Sequence, residues 1–130
     1  MKKLFISCPM KGRTEENIRK SMEKMHKLAE LIFDQELEVI QTYIEDNPPE
    51  NSQQGIWYLG KSIELLAEAD YFIGVERNDV FKGCNIENEI VRSYGIKSVT
   101  INMHDLMPDL QEVIRNYYES MEKTCSTRPY

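Results

Sequence analysis

The chain has 130 residues, 41% hydrophobic and 29% charged, the composition of one globular domain rather than a disordered segment. Its 16 basic and 22 acidic residues leave a net charge of −6. That argues against a general nucleic-acid binder, which needs a basic face to displace phosphate counterions, and against adsorption to an anionic membrane. No apolar run approaches the about 18 residues of a membrane span, and the start, Met1-Lys2-Lys3-Leu4-Phe5-Ile6-Ser7-Cys8-Pro9, is too short in apolar residues for a signal peptide. Cys8, Cys84 and Cys125 are scattered, with no CxxC pair. An odd count without a leader predicts reduced thiols in a cytoplasm. His26 and His104 lie far apart, so no metal site is expected.

Lys3 to Cys8 is short, apolar and bounded by Pro9, which predicts a buried first strand. Cys8 to Arg13 is broken by proline and glycine and reads as a loop. Thr14 followed by Glu15 and Glu16 is a helix start, with a capping hydroxyl and then acids at the positive helix end. Ile18, Met22, Met25, Leu28 or Ala29, and Ile32 recur at steps of three and four, which predicts an amphipathic helix to about Gln35, with Met22 and Met25 in the core.

Leu37 to Thr42 alternates and is β-branched, a second strand. Tyr43 to Gly55, with Asn47-Pro48-Pro49, is a long irregular connection of the kind that serves as a lid or binding loop. Ile56 to Ala69 reads as a second helix with Leu59, Ile63, Leu66 and Ala67 on one face; Trp57 and Tyr58 near its start either stack on a ligand or pack as core. Asp70 to Val75 is a third buried strand, with Asp70 as a strand-start residue. Glu76 to Lys82 is a charged loop, and Gly83 to Tyr94 is a helix closed by Gly95. Ile96 to Asn102 is a fourth strand. Asp105 and Pro108 open a last helix carrying Leu110, Val113, Ile114, Tyr117 and Tyr118. Thr124 to Tyr130 is a polar tail beyond a domain of residues 1–123.

Strands alternating with helices predict a single doubly wound α/β domain: a parallel sheet, right-handed crossovers and helices on both faces. Strand order 2-1-3-4 places the switch point between the first and third strands, where such sheets bind ligands outside the carboxyl ends. Two loops meet there. One runs from Ser7 through Cys8, Pro9, Met10, Lys11 and Gly12 to Arg13; the other runs from Glu76 to Lys82 into the helix near Gly83. The first offers backbone N–H groups and two cations, either a cradle for a ribose or phosphate or a plain strand–helix turn. It is not a GxxxxGK[ST] phosphate loop.

Glu87 shares a helix face with Ile90, Val91 and Tyr94, so it points toward the sheet, whereas Glu89 aligns with Arg92 and Ser93 on the wet face as a solvated ion pair. An inward carboxylate needs a reason. It is either a nucleophile for a sugar carbon of oxocarbenium character or a counter-charge for the helix end. Asp79 either overhangs the crevice or is solvated. Cys8 and Cys84 fall at the crevice without a histidine base and read as small packing residues.

Leu4-Phe5-Ile6-Ser7-Cys8-Pro9-Met10-Lys11-Gly12, Trp57-Tyr58-Leu59-Gly60-Lys61-Ser62, Leu65-Leu66-Ala67-Glu68-Ala69-Asp70, and Gly83-Cys84-Asn85-Ile86-Glu87 followed by Tyr94-Gly95 resemble, in order and spacing, the nucleoside 2-deoxyribosyltransferase-like superfamily. The likeness is to its small, uncharacterised bacterial and phage branch and spans roughly the first hundred residues. The resemblance implies a flavodoxin-like or Rossmann-like fold. It implies cleavage of the N-glycosidic bond of 2′-deoxynucleosides or their 5′-monophosphates. Glu87 inherits the role of the nucleophile at C1′. Ser7, Cys8, Pro9, Met10, Gly12 and Arg13, in the first-strand loop, inherit sugar, base or phosphate contacts; Asp79, Gly83 and Cys84 are further substrate-binding candidates at the second loop. No metal or organic cofactor is implied; a homo-oligomer is, with Tyr117 and Tyr118 as interface candidates. Ser62 and Phe81 stand where relatives carry polar site residues. That keeps open a nucleotide-binding or sensing module without turnover, or a phage-type interaction protein on the same scaffold.

Overall fold

The computed structural model describes residues 1–126. Its elements are β1 (Lys2–Ile6), α1 (Glu15–Phe33), β2 (Leu37–Val39), α2 (Gln54–Leu66), β3 (Tyr71–Val75), α3 (Lys82–Tyr94), β4 (Lys97–Ile101), α4 (Met103–Leu106) and α5 (Leu110–Ser126). The four strands are parallel, in the order β2-β1-β3-β4, with Leu4↔Tyr71, Phe5↔Phe72 and Ile6↔Ile73 in register at the centre. This is the doubly wound α/β domain that the alternating periods predict. None of the described helices is long and apolar enough to cross a membrane.

Strand alternation sorts the core into two layers. Leu4, Ile6, Ile73, Val75 and Ile101 project to one face and join Met25 and Ala29 of α1 and Leu110 of α5. Phe5 and Phe72 project to the other and meet Leu66 of α2 and Val91 of α3. Phe5 and Phe72 stack with centroids 5.9 Å apart and planes 8° apart. Each such fully buried side chain stabilises the fold by about 1.5–3 kcal/mol. Gly74 lies on this second face, and a Cβ there would meet Asn88 Oδ1 and the Phe72 ring at 2.7 Å. Its bare Cα therefore lets α3 approach the sheet, and Asn88 Nδ2 fastens it by donating to the Val75 carbonyl at 2.8 Å.

Thr14 caps α1 as expected, its hydroxyl accepting from Asn17 N–H. Several boundaries differ from the sequence reading. β2 ends at Val39, where its register with β1 stops, although Ile40 N–H still donates to the Leu4 carbonyl at 2.9 Å. α2 starts at Gln54, capped by the Gln53 side chain, which accepts from Gly55 and Ile56 N–H. It ends before Ala67, which is exposed rather than on the packed face. Ile32 of the expected stripe is 48% exposed in the last turn of α1. Asn102 caps the short α4, which sequence periodicity is too brief to reveal. α5 runs to Ser126, so Thr124 is helical; the remainder of the expected tail, 127–130, lies outside the described residues.

Candidate functional site

The second face changes character toward the carboxyl ends of the strands. The apolar layer there consists of Phe5, Leu66, Phe72 and Val91. One repeat further along each element come Ser7 after Phe5, Ser62 before Leu66, Gly74 after Phe72 and Glu87 before Val91. Helices in such units run against the strands, so stepping back along a helix and forward along a strand leads to the same end. The period of each element thus brings three polar side chains and a glycine into one layer, at the end where doubly wound sheets hold ligands.

Glu87 is 7% exposed. Ser7 Oγ donates to its Oε1 at 2.7 Å, and Ser62 Oγ donates to its Oε2 at 2.5 Å. Ser7 is buried at the end of β1, its N–H donating to the Ile73 carbonyl at 2.9 Å; Ser62 is half-buried on α2. Both lengths are those of charge-assisted O–H···O⁻ bonds. Burial pushes the Glu87 carboxyl above the ordinary carboxylate range, and the two serine donations act against that rise. The partners are neutral hydroxyls, and among the described residues no cation pairs with it, so when ionised the carboxylate is hydrogen-bonded without being neutralised.

Glu87 does not serve the helix end. α3 starts at Lys82, so Glu87 sits in the second turn, past the unpaired N–H groups and beyond the reach of the end charge. Nor does its face run as far as expected. Val91 is buried and Ile90 half-buried, but Tyr94 is 82% exposed, because the last turn (Arg92, Ser93, Tyr94) lies open to solvent with no layer over it. Glu89 pairs with Arg92 at 3.2 Å on the wet face.

Cys8 and Cys84 are buried free thiols. Burial pushes Cys84 up to about 12 and Cys8 up to about 11, so both stay protonated and pack as small residues. The Ser7 hydroxyl donates to Glu87 and also acts against the rise of the Cys84 thiol.

The first-strand loop is organised around Arg13, whose side chain is 0% exposed. Its Nε and Nη2 donate to Asp109 at 2.8 and 3.0 Å, its Nη1 to the Pro9 carbonyl at 2.9 Å, and its Nη2 also to Ser21 Oγ at 2.6 Å. The guanidinium expected at a ligand is a bracket joining the loop, α1 and the start of α5. It would reach an anion only by breaking those bonds. Lys11 lies over the Tyr117 ring at 5.6 Å. Pro9 is buried, Met10 is 46% exposed, and Gly12 takes φ 76°, a backbone that L side chains rarely adopt.

Asp79 is exposed and accepts from the Tyr118 hydroxyl at 3.2 Å, which ties the loop after β3 to α5. Gly83 is half-buried, and a Cβ there would meet only Leu59 at an ordinary 3.8 Å. Phe81 joins the core at 5% exposure. Trp57 is half-buried and edge-on to Tyr58, with Lys61 Nζ 5.5 Å from its ring centroid; neither aromatic is in the buried core. Asp70 acts at the strand start, its carboxylate accepting from Lys3 N–H at 2.8 Å.

Sequence reasoning missed the residues that place Glu87. Asn78 Oδ1 accepts from Val80 and Phe81 N–H, and Asn85 exchanges hydrogen bonds with the Asn78 backbone, so two asparagines fix the turn into α3. Asn88 clamps α3 to β3. An asparagine pair flanking a helix start is a visible signal for the turn; the contact of Ser62 is not visible locally. A groove of about 340 Å³ lined by Ile6, Ile18, Met22 and Val39 lies on the α1 face, with the sheet between it and Glu87. Among the described residues, no group of three His, Cys, Asp or Glu side chains is placed to hold a metal ion. Comparison with protein-family models, with curated proteins and with solved structures finds no match to this chain.

Proposed function

We propose that the protein cleaves, or transfers across, the N-glycosidic bond of 2′-deoxynucleosides or their 5′-monophosphates, as the sequence resemblance suggests. One observation carries the proposal: a buried glutamate at the carboxyl end of a doubly wound sheet, with both carboxyl oxygens bonded to neutral hydroxyls rather than to a cation. A carboxylate kept this way retains its nucleophilicity, whereas an arginine partner would quench it. In the proposed step, a lone pair of the Glu87 carboxylate forms a C1′–O bond while the C1′–N bond breaks. The electron pair leaves on the base, which takes a proton from water. Water or an acceptor base then attacks C1′, the carboxylate departs, and the incoming group loses its proton to solvent.

The test is chromatography of free bases after incubation with a panel of 2′-deoxynucleosides and 5′-monophosphates, with and without an acceptor base. Release by wild type and none by Glu87→Gln supports the proposal. Dependence on the acceptor identifies transfer. No release from any substrate overturns it. A second reading, a nucleotide-binding module without turnover, draws on the fact that both Glu87 oxygens are already engaged and the residue is buried. Melting-temperature shifts with nucleotides in the absence of base release would select it.

A further inference from the structure

We infer that Ser62 is a positioning residue for Glu87: with Ser7 it fixes the plane of the carboxylate and leaves Oε2, on the α2 side, as the oxygen presented to C1′. The inference rests on the glycosidic reading above and names a part that it does not assign. Oε1 is closed in by Ser7, which is 2% exposed and anchored by its own N–H to the Ile73 carbonyl. Oε2 faces α2, where Ser62 is only half-buried, so Oε2 is the less enclosed of the two oxygens. A carboxylate oxygen accepts at two lone-pair positions, so one serine donor leaves the other free for an approaching carbon.

Two donors from two different elements also remove the rotation about the last side-chain bond. A carboxylate held on one oxygen alone swings, and a misplacement of about 1 Å costs on the order of a hundredfold in rate. Ser62 exchanges no proton in this role. It donates to Oε2 throughout and, after C1′–O bond formation, to an ester oxygen. The titratable groups near the pair are Cys84 on α3 and Cys8 after β1. Both thiols are neutral below about 11, so neither competes with Ser62 in setting the ionisation of Glu87.

The experiment compares wild type, Ser62→Ala and Ser62→Thr on the 2′-deoxynucleoside giving the most base release. It also follows the Glu87 side-chain carboxyl by carbon NMR against pH, the resonance being assigned by its loss in Glu87→Gln. Ser62→Ala is expected to lose about 10- to 100-fold in kcat with KM little changed. Because a donor to the ionised form is gone, both the carboxyl titration and the acid limb of kcat move to higher pH. Ser62→Thr, which keeps the hydroxyl, restores most of the rate. If wild type releases base and Ser62→Ala does so equally fast, the positioning role is overturned while Glu87 keeps its place. Should wild type release nothing, the glycosidic reading fails. The titration then decides on its own, because an unmoved Glu87 resonance in Ser62→Ala overturns the hold of Ser62 on the carboxylate.

Discussion

Arg13 and Glu87 both bury a charge near the carboxyl end of β1, and the protein treats the two in opposite ways. Arg13 meets its counter-charge in Asp109 and spends its remaining donors on Pro9, Ser21 and Asn17. Glu87 meets two hydroxyls and no cation. A charge that is cancelled and saturated has nothing left to offer a ligand, and its removal is felt as lost stability. A charge that is solvated by neutral donors keeps its field and its lone pairs, and under the proposed function its removal is felt as lost chemistry. The cation that looks from sequence like a ligand contact is thus a bracket. The acid that the sequence alone leaves open as a helix-end counter-charge is the nucleophile of the proposed function.

The largest expected effect tests the Glu87 side. Glu87→Gln keeps the shape, and the amide can accept from one serine and donate to the other, so the fold is retained. Base release is expected to fall by about a thousandfold or more, as when a nucleophile is removed, with the melting temperature close to wild type. A variant that kept its rate would place Glu87 among the structural residues and erase the contrast with Arg13.

Asp109→Ala tests the Arg13 side. It strands a guanidinium with a side chain 0% exposed, while Asp109 itself is 26% exposed and so partly screened. A loss of about 3 kcal/mol in denaturant unfolding is expected, at the lower end of what breaking a buried pair costs. The rate per folded molecule should hold. The two carboxylates also respond oppositely to pH. The hydrogen bonds from Arg13 hold Asp109 below the usual carboxylate range, so the stability it contributes is present above the ordinary carboxylate pKa and is lost as pH falls through its depressed value. Glu87 is held above that range, so the folded state binds the extra proton, and stability declines as pH rises from the ordinary value through the raised one. Asp109→Asn should flatten the acid-side loss, and Glu87→Gln the decline on the other side. The same slope in both variants would contradict the comparison.

Much of this is legible in the sequence. The switches between a period of two and a period near 3.6 mark the four β/α units, and the steps from Glu87 to Ile90 and Val91 turn the acid toward the sheet. Three things were not legible. Arg13 and Asp109 lie 96 residues apart, and no local pattern joins them. Ser62 stands beside the packed face of Leu59, Ile63 and Leu66, and its position is marked by the family resemblance, but its contact with Glu87, 25 residues on in a different helix, has no local signal. Gly74 reads as an ordinary small residue until Asn88 is found against it.

Gly74→Ala addresses how firmly α3, and with it Glu87, is seated. The added methyl would lie 2.7 Å from Asn88 Oδ1 and from the Phe72 ring, so the helix or the ring must shift. Overpacking of this kind costs about 1–3 kcal/mol. Because the shift lifts α3 from the sheet, it also parts Glu87 from Ser7, and kcat should fall along with stability. Lost stability with an unchanged rate would show that Ser62 alone suffices to hold the carboxylate.

The smallest effect is the internal control for the first. Glu89 lies on the same helix, two residues beyond Glu87, and carries the same charge. It is exposed, and its partner Arg92 is equally so, at 3.2 Å. In water the pair gains little Coulomb energy and loses side-chain freedom to form, so Glu89→Gln should change stability by no more than about 0.5 kcal/mol, and less in high salt. Its effect on base release should be nil, because a charge on the wet face is screened from the sheet's crevice over that distance. If Glu89→Gln slowed base release as Glu87→Gln does, the net charge of α3 rather than the position of one carboxylate would govern the rate. Burial and hydroxyl partners would then not be what sets Glu87 apart.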